Sequence, residues 1–97
     1  EINCKILKSL LSKYVKNKIV VKYPNDLLIK KKKICGILYE TFFFKKKKYL
    51  IIGIGININK HPSINNYQTA NLSQFAGKKI SKLLLFNNIK KIYEAKF

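Results

Sequence analysis

Asp26 is one of only four carboxylate-bearing residues in a chain with 21 lysines, and it follows Pro24-Asn25 at the end of a β-branched and aromatic run. Proline fixes its own φ and restricts Tyr23 to extended conformations, so Asn25 and Asp26 are presented from a stiff turn. A carboxylate in such cationic surroundings can hold Mg²⁺ or a ribose hydroxyl, and the Asn25 amide offers both a donor and an acceptor. The plainer reading is an Asx turn that closes the bend, because Asn and Asp are common turn residues. Three glycines raise the same kind of question. Gly36 interrupts one bulky run, and Gly53 and Gly55 interrupt the next. Glycine weakens a strand unless a ligand or another backbone must come close, with a bulge or tight helix packing as the alternative. The pair at 53 and 55 is not a dinucleotide fingerprint, because Ile58 stands at the third glycine position and no helix pattern starts there.

The remaining chemistry-bearing residues point to less. His61 stands alone in a polar stretch without a carboxylate or Cys partner, so no catalytic role is assigned to it. Cys4 and Cys35 lack CxxC or Cys/His spacing, which argues for reduced thiols rather than a zinc site or a disulfide. Glu40 reads as a structural residue paired with a lysine. The net charge of +17 is the footprint of a polyanion binder. Yet every basic residue is Lys and none is Arg, the residue favoured for bidentate recognition of bases and phosphates. Ile and Asn are over-used alongside Lys, as an AT-rich coding sequence produces at tolerant positions. Solvated lysine is therefore the expectation, with no specific nucleic-acid partner. No apolar run reaches the ~18–20 residues of a membrane span and no secretory signal pattern opens the chain, so a cytoplasmic protein without membrane contact is expected.

The elements that must position these residues follow from periodicity. Over 5–16, Ile6, Leu7, Leu10, Leu11, Tyr14 and Val15 share one stripe of an amphipathic helix. Ile19–Tyr23, Leu27–Ile29, Ile34–Phe44 and Tyr49–Ile58 read as strands, with lysine clusters at 30–33 and 45–48 marking turns of an antiparallel meander. The apolar length of the last two strands predicts cover on both faces, and the Phe42–Phe44 run reads as core. Residues 60–71 have a loop composition and read as a flexible connection. Leu72–Ala76 makes a short helix ending at Gly77, a suitable left-handed residue, and Ser81 caps a further helix. The fold class is α+β, an antiparallel or mixed sheet backed by helices. With 97 residues, 47% of them hydrophobic, the chain fits one small domain or part of a larger one. The absence of Met and the helical pattern running to Phe97 favour a segment of a longer polypeptide.

Three blocks, KYPND at 22–26, KKICGILYE at 32–40 and IIGIGININ at 51–59, carry a resemblance that spacing alone does not supply. In that order they resemble the K-W-P-N-D, K-x-x-G-I-L-x-E and I-G-x-G-x-N blocks of biotin protein ligases, over about residues 5–97. The resemblance implies part of a class II synthetase-like catalytic domain. Its activity is an ATP-dependent ligation: biotin and ATP give biotinoyl-AMP, and a lysine of a biotin carboxyl carrier protein takes the acyl group. It implies that Lys33 is catalytic and contacts the biotin carboxylate, and that Gly36, Leu38, Gly53 and Gly55 help bind biotin. It places Lys22, Asn25, Asp26 and Asn57 around ATP, with Asp26 on Mg²⁺. A homodimer is compatible with it. Bottom-up chemistry agrees for Lys33, since an ammonium fixed over a carboxylate and an α-phosphate stabilises charge that grows as the two anions join. The residues alone do not choose between Lys32 and Lys33.

The chain also departs from the family pattern. Lys30-Lys31 stands where Asn-Gly is usual, which predicts a strained or reshaped turn. Tyr23 replaces a Trp. The family's Gly/Arg-rich biotin loop, GRGRxGRxW, has no counterpart here, nor has its small C-terminal domain, so the chain is expected to be inactive alone. Rival readings are a lipoate or octanoyl transferase relative, which the KYPND and GILYE blocks disfavour, and a degenerate, basic nucleic-acid-binding remnant.

Overall fold

The computed structural model describes residues 2–96, and its first element carries the stripe that the sequence pattern predicts. Helix α1 (Ile2–Leu11) buries Cys4, Leu7, Leu10 and Leu11 and leaves Lys5 in solvent. It starts earlier and stops sooner than the pattern over 5–16 suggests. Past Leu11 the backbone tightens into i→i+3 turns, Lys13 N–H to Leu10 O at 3.1 Å and Tyr14 N–H to Leu11 O at 3.0 Å, so Val15 still reaches the core after the helix has ended. The Ser12 hydroxyl donates to the Lys8 carbonyl at 2.6 Å and occupies one of the last-turn acceptors.

Strands β1 (Val20–Lys22), β2 (Asp26–Ile29), β3 (Lys32–Phe44) and β4 (Lys47–Ile56) form one sheet in that order, and every neighbouring pair is antiparallel. Both long hairpins turn through two lysines with positive φ, 50° and 66° at Lys30 and Lys31 and again at Lys45 and Lys46. These are the left-handed residues a type I′ turn requires, where Asn-Gly is the low-cost choice. The Asn-Gly geometry is thus kept without its residues, and a side chain held in this region costs about 1–2 kcal/mol per residue.

Asn71 caps α2 (Leu72–Ala76) through a capping box with Gln74, and Gly77 ends it at φ 72°. Ser81 Oγ accepts the Leu84 N–H at 3.2 Å and starts α3 (Lys82–Lys96). Buried Asn3 joins the layers: its amide nitrogen donates to the Tyr39 hydroxyl at 3.0 Å and its oxygen accepts from the Tyr93 hydroxyl at 2.7 Å, tying α1 to β3 and α3. The core gathers Leu7, Leu11, Ile19, Leu27, Ile29, Ile34, Leu72 and Leu85, each worth about 1.5–3 kcal/mol when fully buried.

Two expectations fail at the far end of the β3–β4 hairpin. Phe43 and Phe44 are 74% and 56% exposed, and Leu50 and Ile51 are also in solvent, so the run is neither core nor covered on both faces. The reason is register: β2 flanks β3 only as far as Gly36, opposite Asp26, and beyond it the hairpin projects without a neighbour on that side. Glu40 is exposed and has no ion pair among the described residues, so the expected lysine partner is absent. No described helix is long and apolar enough to cross a membrane.

Candidate functional site

Strand alternation should put Lys33 on the face of Cys35 and Ile37, which are buried, and opposite Gly36 and Leu38. It does not lie there. The register between β2 and β3 slips at Leu27/Leu28: Leu28 pairs with Lys33 and Leu27 with Cys35, leaving Ile34 as the extra residue of a bulge. A bulge re-aims the side chains around it. Here it buries both Ile34 and Cys35 and brings the Lys33 side chain over Gly36. A Cβ at Gly36 would lie 2.9 Å from Lys33 Cε and 3.0 Å from its Nζ. Gly36 is therefore the clearance that lets Lys33 cross the strand.

The ammonium has two partners there. Asp26, opposite Gly36 in the register, sets Oδ1 at 3.3 Å from Lys33 Nζ, with both side chains about a third exposed or less. The Tyr67 ring lies 5.2 Å from the same nitrogen. Backbone bonds fix the arrangement: Lys33 N–H donates to Gln68 O at 2.9 Å and Ala70 N–H to Lys33 O at 3.0 Å, making Lys33 and Thr69 an isolated parallel bridge. Asn57 pins that bridge, its amide nitrogen reaching Lys33 O at 3.3 Å and Ala70 O at 3.1 Å. The end of the 60–71 segment is thus stitched to β3, where a flexible connection was expected.

These groups border a groove of about 660 Å³. Its floor is the open face of the β3–β4 pair, with Gly36 opposite Gly55 and Leu38 opposite Gly53. The nearest atoms to a Cβ built on Gly53 and Gly55 are 3.7 Å and 3.9 Å away, so those side-chain positions open into the groove. Pro62, Ile64, Tyr67 and Thr69 form the facing wall. Flat backbone below, an apolar and aromatic wall beside it and one ammonium at the end suit a flat ligand ending in an anion.

Of the sequence-predicted site residues, Asp26, Lys33, Gly36, Leu38, Gly53, Gly55 and Asn57 all line this groove. Lys22 and Asn25 do not. Lys22 is exposed on β1 opposite Asp26, and Asn25 uses its carbonyl to accept the Ile37 N–H at 2.9 Å. The donor amide of Asn57 is committed to two backbone carbonyls. Among the described residues, Asp26 is the only carboxylate on the groove and is already ion-paired, and no group of three metal-ligating side chains occurs. That donor set does not make a resident metal site. His61 meets Asn71, ring nitrogen to amide nitrogen at 2.9 Å, and stays outside the groove. Cys35 is a buried thiol beneath the floor, its pKa pushed up to about 12 by burial first and by Cys4 next, while Lys33 opposes the shift. Sequence reasoning missed Tyr67, whose only local sign is an aromatic in an otherwise polar stretch.

The profile of the biotin/lipoate A/B protein ligase family matches residues 1–57. The bifunctional ligase/repressor BirA of Bacillus subtilis is 37% identical over 83 residues, covering 79% of this chain and 25% of the relative. Its counterpart in Bacillus spizizenii is 35% identical over 82 residues with the same coverage. Among solved structures, biotin protein ligase from Aquifex aeolicus superposes in its apo form with a TM-score of 0.69 at 28% identity, over 88% of this chain and 38% of that one. Its complex with biotin and ATP gives 0.68 at 28% identity, over 91% and 38%. The chain spans about a quarter of the length of the curated relatives it matches.

Proposed function

Because the chain belongs to the biotin/lipoate A/B protein ligase family, we propose that it carries the lysine-bearing part of a site that activates biotin with ATP and passes it to a carrier protein. The observation that carries this reading is the Lys33 ammonium, held by Asp26 at the end of a glycine-floored groove. The ureido-thiophane rings lie along Gly53 and Gly55, where no side chain intrudes, and the carboxylate meets Lys33. A carboxylate oxygen attacks the α-phosphorus of ATP, pyrophosphate leaves, and biotinoyl-AMP forms. Lys33 screens the two anions as they approach and stabilises the charge of the transition state. A lysine amine of a biotin carboxyl carrier domain then attacks the acyl carbon, releasing AMP and forming an amide.

The Aquifex relative solved with biotin and ATP supports both substrates. Asp26 and the neighbouring Lys22 and Asn25 form the ATP side of the proposed site. Asn57 serves it by bracing Lys33 rather than through a free amide donor. The family also includes lipoate ligases; the solved Aquifex structures that this chain matches are biotin protein ligases, which favours biotin. A cytoplasmic location fits an ATP-consuming enzyme whose two thiols are buried.

The test is biotin-dependent exchange of labelled pyrophosphate into ATP by the full-length polypeptide. Wild type exchanges with biotin and not with lipoate, and Lys33→Ala lowers the rate by about 10²–10³-fold, the usual cost of losing one transition-state charge partner. Exchange that ignores biotin, or survives Lys33→Ala, removes this reading.

A further inference from the structure

Lys33 has a long, flexible side chain, and its ion pair with Asp26 has to yield when a substrate carboxylate arrives. We propose that Tyr67 is a positioning residue for Lys33, its ring face keeping the ammonium at the end of the groove while the carboxylate partner changes. The inference rests on the proposed reading for its purpose but on the fold for its geometry.

Three observations carry it. The ammonium lies 5.2 Å from the Tyr67 centroid and 3.3 Å from Asp26, so the two partners hold it jointly. The ring is not placed there by core packing, since Tyr67 is 42% exposed. It is placed by the parallel bridge between Lys33 and Thr69, with Asn57 bonded to both strands of that bridge. The backbone of Lys33 and the backbone that carries Tyr67 are thus one hydrogen-bonded unit.

The chemistry explains why a ring suits this task better than a second carboxylate. An ammonium has three N–H donors and no acceptor. A ring face attracts the charge without supplying a competing anion, so a donor remains available to an incoming carboxylate or phosphate. A second carboxylate beside Asp26 would instead hold the ammonium against the substrate. Gly36 completes the arrangement, because a Cβ there would lie 2.9 Å from Lys33 Cε and the end of the lysine side chain would have to shift from its present place.

The experiment is competitive acetylation of the intact chain with trace acetic anhydride, read by mass spectrometry at Lys33, with exposed Lys60 as the internal standard. Acylation requires the amine to leave the ring and lose its proton. Tyr67→Leu should therefore raise the rate at Lys33 relative to Lys60 by about two- to fivefold, the range of an exposed cation–π contact. Tyr67→Phe, which keeps the ring, should stay at the wild-type ratio. Equal ratios in all three proteins overturn the proposal, and acceleration by Phe as large as by Leu assigns the effect to the hydroxyl and overturns it too. Wild-type NMR tests the same point without substitution: the Lys33 Hε protons should be shifted upfield and show cross-relaxation to the Tyr67 ring, and the absence of both contradicts it. Neither readout uses biotin or ATP, so failure here leaves the ligase reading standing, and failure of pyrophosphate exchange leaves this one.

Discussion

At the base of the β3–β4 hairpin, Cys35 and Ile37 are 1% and 5% exposed, whereas at its tip Phe43 and Phe44 are 74% and 56% exposed, although phenylalanine is the larger apolar side chain. The two ends share the same pair of strands and an unbroken antiparallel register. They differ in what lies across them. At the base, β2 flanks β3, and the core that includes Leu7 of α1 and Leu85 of α3 packs against the face of Cys35 and Ile37. At the tip the ring contacts are local: Phe42 stacks on Tyr49 with centroids 5.2 Å apart, and Lys45 Nζ lies 5.3 Å from the Phe44 ring. Apolar character licenses burial, and topology decides it. The base is packed on one face and left open along its glycines on the other, which is how a groove comes to sit on a rigid support.

Substitutions can break that contrast. Ile37→Ala at the base should cost about 2–5 kcal/mol of unfolding free energy, as for a fully packed core residue, while Phe43→Ala should stay within about 0.5 kcal/mol. Urea denaturation of the two variants checks this, and similar losses would mean that the tip is buried in solution. The next effect concerns pH and belongs to the base alone. Cys35 has a folded pKa of about 12 against an ordinary 9.0, burial favouring the neutral thiol. A group whose folded pKa is raised contributes its full stability below the unfolded value and loses it as pH climbs to the folded one. Stability should therefore fall between pH 9 and 12, by up to about 4 kcal/mol from this group. Urea midpoints across that window should decline more steeply for wild type than for Cys35→Ala; parallel declines would remove the thiol as the cause.

The smallest expected effect treats the two ends alike. Both turns force a pair of lysines to positive φ. Replacing Lys30-Lys31 or Lys45-Lys46 by Asn-Gly should raise stability by about 1 kcal/mol each, because Asn and Gly adopt that region at lower cost. Thermal denaturation of the two double variants tests it. A gain at the base turn alone would show that the tip is less well formed than its register implies.

The turns also show which parts of the fold were legible. The meander, the lysine turns, Gly77 as a left-handed stop and Ser81 as a cap all depend on local rules, and the structure has each of them. The start of α1 and the exposure of Phe42–Phe44 depend on packing partners distant in sequence, and there the local pattern misled. The site divides in the same way. Gly36, Gly53 and Gly55 announce an open strand face through their lack of side chains. No local signal marks Ile34 as a bulge, so strict alternation puts Lys33 on the wrong face, and only the family resemblance singled it out from Lys32. Tyr67 was invisible because a parallel bridge more than thirty residues away in sequence brings it to Lys33.

In the proposed site the ligand lies on the glycine floor at the base and not against the exposed tip. Amide NMR of the chain, titrated with a non-hydrolysable biotinoyl-adenylate analogue, tests it most directly. Saturable shifts are expected at Lys33, Gly36, Gly53 and Gly55, with the amides of Phe42, Phe43 and Phe44 unmoved. Shifts confined to the tip, or none at the three glycines at saturating analogue, would contradict it.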